Sequence, residues 1–122
     1  MVTSGMGYKL VYVHNGGLFS YNFSWTVPIK VVEYFPRQEV FRPNNCGPLT
    51  AFVDMILLDQ FLISEGINVD DKNKFQVWEV EGELATSKDL YAEGHICYFP
   101  HLPRGTIHFD SIILKRKIRD IN

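Results

Sequence analysis

Cys46, within Asn44-Asn45-Cys46-Gly47-Pro48 and ahead of the apolar run Leu49 to Ile63, is the residue of this chain best suited to nucleophilic chemistry. A cysteine attacks as its thiolate, a form favoured at a helix N-terminus or beside an imidazole that a carboxylate orients. His108 and Asp120 could supply those parts. The same Cys-Gly-Pro also reads as an ordinary turn into a buried segment, with a structural cysteine at the loop end.

Other constellations carry weaker chemistry. His95, Cys97, His101 and His108 are zinc-ligand types, but their spacing matches no closed zinc signature, so no metal is expected. Glu79, Glu81 and Glu83 share one face of a strand, where carboxylates could raise each other's pKa; solvated charges guarding a sheet edge are the plainer reading. Lys115, Arg116, Lys117 and Arg119 form the one basic cluster, expected as solvated charge near a frayed terminus. Arg37 and Arg42 flank a long loop beside Phe35 and Phe41, and with Trp78 they are the candidate binding residues. Asn15-Gly16-Gly17 lacks the lysine and helix of a phosphate-binding loop, and no dinucleotide fingerprint occurs, so no cofactor is expected.

The elements that must position these residues follow from composition and period. At 122 residues the chain fits one domain, and 46% hydrophobic with 21% charged residues places it among folded proteins. A net charge of −2 supplies no general attraction to nucleic acid or anionic lipid, so neither is an expected partner. Two cysteines make no disulfide framework, and the opening MVTSGMGYKL has no basic leader or apolar core, so a cytoplasmic location with reduced thiols is expected.

Tyr8 to Val13 and Leu18 to Phe23 alternate about Asn15-Gly16-Gly17, which predicts a hairpin. Ile29 to Tyr34 predicts a strand partnering its second arm, and residues 35 to 48, with three prolines, predict a long surface connection. Leu49 to Val53 then reads as a buried strand before a helix from Asp54 to Glu65, although one helix starting near Cys46 also fits the stripe. Phe75 to Glu81 predicts a strand with one end at a sheet edge, His95 to Phe99 another, and Thr106 to Ile118 the last.

Three resemblances add to this reading. YKLVYVHNGGLFS, IKVVEYFP, GPLTAF, VWEVEGE and LPRGTIHFDSIIL, taken in order, look like a group of small uncharacterised proteins of phages and other mobile elements, which implies a compact α+β domain. NNCGPLTAF and HFDSIIL resemble the bacteriocin-processing, papain-like cysteine peptidases; the resemblance implies Cys46 as nucleophile, His108 as base and Asp120 as orienting acid. Gln38 does not stand where that family carries its oxyanion glutamine. The order of elements is also similar to ADP-ribosyltransferase-like domains, for which Glu79 or Glu81 would be the acidic residue.

The chain is therefore expected to be a single α+β domain over 1–122, a mostly antiparallel twisted sheet with one principal helix on one face. Its expected role is that of a noncatalytic binding or accessory protein of a mobile element. It would act through an aromatic-rich surface on a protein partner or on itself as a homodimer. The cysteine hydrolase and the transferase are the alternatives.

Overall fold

The computed structural model describes residues 3–20, 32–42, 49–65, 74–85 and 104–121. In chain order these form β1 (Ser4–His14), β2 (Gly17–Ser20), β3 (Glu33–Tyr34), β4 (Glu39–Phe41), β5 (Leu49–Phe52), α1 (Met55–Glu65), β6 (Lys74–Glu83), β7 (Thr106–Phe109) and β8 (Ser111–Ile121). All the strand pairings among them are antiparallel. The chain is thus mostly antiparallel sheet with one helix among the described residues.

The hairpin forms where the glycines predict it. Asn15 and Gly16 both hold positive φ, 49° and 79°, the primed-turn geometry that matches strand twist. β1 begins four residues earlier than its alternation indicates, at Ser4, because β6 pairs with it from Ser4 opposite Glu83 to Val13 opposite Lys74. β3 pairs with β2, as the β-branched run before it implies.

The strand-then-helix reading of residues 49 to 65 holds. β5 ends at Phe52, and the Asp54 carboxylate accepts the Leu57 N–H at 2.8 Å, so Asp54 caps α1. Within the expected connection, residues 39–41 instead form β4, paired to β8. The expected last strand is two, β7 and β8, separated at Asp110.

β6 corrects the expectation of a sheet edge. The main strand order is β3-β2-β1-β6-β8-β4, with β5 joining β1 to β7. β6 therefore lies in the middle, between β1 and β8, and its pairing with β8 shifts register between Val77 and Trp78 and between Glu79 and Val80.

The sheet is curled by covalent necessity. β3 and β4 terminate the main order, yet only residues 35–38 join them. Five flat inter-strand spacings would separate them by roughly 24 Å, whereas the five steps from Tyr34 to Glu39 reach at most about 18 Å. A circuit also closes from β1 through β5 to β7 by pairing, and from β7 back to the end of β6 by the bridge of Phe109 to Leu84, with β8 following β7 in the chain and pairing with β6.

Both faces of β1 are consequently covered, and Lys9, Leu10 and Val11 are buried in succession. Leu10 joins Phe75, Val77, Ile121 and Phe52 in a cluster with Leu58, Phe61 and Leu62 of α1. Val11 joins a second cluster with Leu18, Tyr34, Val80, Phe109, Ile112 and Leu114 inside the curl.

Candidate functional site

Among the described residues, three places hold groups able to act: the interior behind β1, the bend between β7 and β8, and the turn from β3 to β4.

In the interior, period-two alternation would send Lys9 to solvent opposite Leu10, but the curled sheet covers that face too. Its ammonium donates to the carbonyl oxygen of Thr50 on β5 and stands 5.3 Å from the centroid of the Tyr34 ring. Burial pushes its pKa down from 10.5 to about 8. Burial also raises the Tyr34 hydroxyl above its ordinary value, and that hydroxyl has no hydrogen-bond partner among the described residues. Neither residue stands out in the sequence, because only the closure of the sheet brings them together.

At the bend, His108 lies opposite Thr50 on β5, and its Nδ1 is buried without a hydrogen-bond partner among the described residues. Burial lowers its pKa, favouring the neutral imidazole. Asp110 forms an ion pair with Arg42, Oδ1 to Nε at 3.3 Å, outside hydrogen-bond alignment. Ser111, fully buried, donates to Glu39 at 2.7 Å and accepts from the Glu83 N–H at 3.3 Å, tying β4, β6 and β8 together.

Asp120 is elsewhere. It lies opposite Gln76, whereas His108 adjoins Phe109, which bridges Leu84. Eight residues of β6 separate those positions, roughly 26 Å along the strand. Asp120 is instead paired with Lys117 at 3.1 Å. The structure does not bring His108 and Asp120 together, and Cys46 lies outside the described residues, as do His95, Cys97 and His101. No cluster of three metal-ligating side chains occurs among the described residues.

The basic cluster is not a loose tail. Lys115 pairs with Glu81, Arg116 with Glu79 at 3.2 Å, Lys117 with Asp120, and Arg119 with Asp59 of α1. Two cations of β8, Lys115 and Arg116, therefore face the β6 carboxylates Glu81 and Glu79, so that these charges are accommodated in a central strand. Trp78 packs half-buried against the interior cluster and donates to Gln76 at 2.9 Å.

The turn from β3 to β4 differs in character. Phe35 and Phe41 are 46% and 59% exposed, and every residue from 35 to 39 is exposed. Arg37 adopts φ 65°, left-handed backbone that is uncommon outside glycine, asparagine and aspartate. Its N–H donates to the Leu114 carbonyl at 2.8 Å, and the Gln38 N–H closes the turn on Phe35 O at 3.0 Å. Arg37 and Phe41 thus share one margin of the fold. Trp78 does not join Phe41: it lies opposite Lys117, six residues along β8 from Ser111, the partner of Phe41, or roughly 20 Å along the strand.

No family model, curated protein or solved structure matches the chain. No helix among the described residues is long and apolar enough to cross a membrane.

Proposed function

We propose that the chain is a noncatalytic binding or accessory domain, of the kind carried by mobile elements, that captures a protein segment on the turn between β3 and β4. In this reading it works in the cytoplasm, with α1 packed on one face of the sheet as rigid backing for the turn. The observation that carries the reading is Arg37, exposed and at positive φ on a turn whose flanking residues Phe35 and Phe41 are also exposed. An exposed cation on strained backbone, with aromatics nearby in the chain, serves recognition better than folding. The ligand side should offer apolar side chains and a carboxylate. Nucleic acid fits less well, because the four cations of β8 already face carboxylates.

The test is selection of peptides from a random display library on the purified protein, with Arg37→Ala and Phe41→Ala as counter-screens. Enriched peptides should carry acidic and apolar residues and lose at least tenfold in affinity against either variant. Peptides that bind both variants unchanged would overturn the reading.

A second reading has one observation in its favour. His108 presents a buried Nδ1 with no partner among the described residues, and it lies opposite Thr50, four residues along the chain from Cys46. A Cys46 and His108 hydrolase pair would therefore act without Asp120.

A further inference from the structure

Two buried polar groups of the interior take no part in the recognition proposed above. An ammonium carries three donors and no acceptor. That of Lys9, a residue 6% exposed, gives one donor to the Thr50 carbonyl and stands 5.3 Å from the centre of the Tyr34 ring. No described carboxylate pairs with it, since the ion pairs among the described residues use Arg42, Lys115, Arg116, Lys117 and Arg119. Desolvation is accordingly the cause that lowers its pKa. The Tyr34 hydroxyl, on a residue 1% exposed, has no hydrogen-bond partner among the described residues. A buried charge without a counter-charge and a buried hydroxyl without an acceptor each oppose folding, and here the two fall in one place.

We infer that the interior of the curl binds one small monovalent anion, a halide or formate, between the Lys9 ammonium and the Tyr34 hydroxyl. The two groups select that class of ligand. Both can donate to the same acceptor, and the single positive charge matches a single negative one. Sulfate or phosphate would bring a second charge with no described cation beside it. Tyr34 packs in a cluster with the buried Val11, Leu49, Ala51, Val80 and Phe109, which leaves a ligand with a long apolar tail no room. An anion accepting two hydrogen bonds of about 3 Å spans about 6 Å. That is the scale of the separation between an ammonium 5.3 Å from the ring centre and the hydroxyl on the rim of the same ring.

The bound anion would tie β1 to β3, which β2 separates in the sheet. Neither Arg37 nor Phe41 takes part, so the site stands or falls apart from the capture of a peptide on their turn.

Urea denaturation of the whole protein tests it, with sodium sulfate replaced stepwise by sodium bromide or sodium formate at constant ionic strength. Sulfate is a general stabiliser, so a protein without the site should lose stability along either series. The wild type should instead gain stability with the logarithm of anion concentration above a roughly millimolar dissociation constant, the slope approaching one anion taken up per chain on folding. Tyr34→Phe should weaken that uptake at least tenfold, and Lys9→Met should abolish it. In sulfate alone both groups stay uncompensated, the condition in which these two substitutions cost no stability. Tyr34→Phe removes one oxygen and keeps the test sharp should Lys9→Met fail to fold. Uptake in both series supports the site as a general one, and uptake of bromide alone or formate alone assigns it to a halide or a carboxylate. A wild type that follows the general salt effect in both series overturns the proposal. So does an uptake that Tyr34→Phe and Lys9→Met leave unchanged.

Discussion

The Lys9 ammonium stands 5.3 Å over the Tyr34 ring and donates to the Thr50 carbonyl, so one buried cation links β1 to β3 and to β5. It joins strands that meet only because the sheet curls. Such a group opposes folding through desolvation.

Its titration has a definite sign. The pKa of Lys9 is about 8 in the folded chain against 10.5 unfolded, so between those values the unfolded state binds more protons. Stability from this group is therefore lowest below pH 8 and rises with pH above it, by up to about 3 kcal/mol over the full interval. Tyr34, raised above its ordinary 10.0, acts oppositely, its stabilisation being lost only as pH climbs past 10. Urea denaturation between pH 8 and 10 isolates the Lys9 effect. The wild type should gain stability across that window, and Lys9→Met should remove the gain and be neutral to about 3 kcal/mol more stable at pH 7.

Tyr34→Phe removes a buried hydroxyl that has no partner among the described residues. The expected outcome is unchanged stability or a gain of about 1 kcal/mol, read from the urea midpoint. A loss of about 2 kcal/mol would show that the hydroxyl is engaged.

Gly82 lies on β6 where an added Cβ would land on the backbone carbonyl of Ser111. Because that carbonyl belongs to the adjoining strand, relief requires β8 to move. Gly82→Ala should destabilise by about 3 kcal/mol or more, and Gly16→Ala, in open space but at positive φ, by about 1 kcal/mol.

Asp54→Ala removes the cap on Leu57. About 1 kcal/mol of stability should be lost, a fall in melting temperature of roughly 3–6 °C, with Asp54→Asn retaining most of it.

Arg37→Gly separates recognition from stability. Glycine adopts φ 65° without the side-chain penalty, so stability should be unchanged or rise by about 1 kcal/mol, while affinity for selected peptides should fall at least tenfold.

The locally encoded parts of the fold were legible. Asn15-Gly16 carries its turn in two residues, and Asp54 carries its helix start in one carboxylate. What escaped was set by distant residues. Glu79 and Glu81 look like edge charges until β8 brings Arg116 and Lys115 beside them, and Lys9 looks solvent-facing until the curl covers it. β4 is only three residues long beside Pro36 and a strained Arg37, too short for alternation to register. His108 and Asp120 form a plausible pair by residue type, but twelve residues of nearly continuous strand carry them apart.

The central claim is that this chain acts through its surface rather than through covalent chemistry, and the pH dependence of Cys46 alkylation tests it most directly. In native protein bearing Cys97→Ser, labelling should be slow, follow an ordinary thiol profile centred near pH 8.5, and be unaffected by His108→Ala. Rapid labelling well below that pH, abolished by His108→Ala, would contradict the claim and establish an activated cysteine and histidine pair.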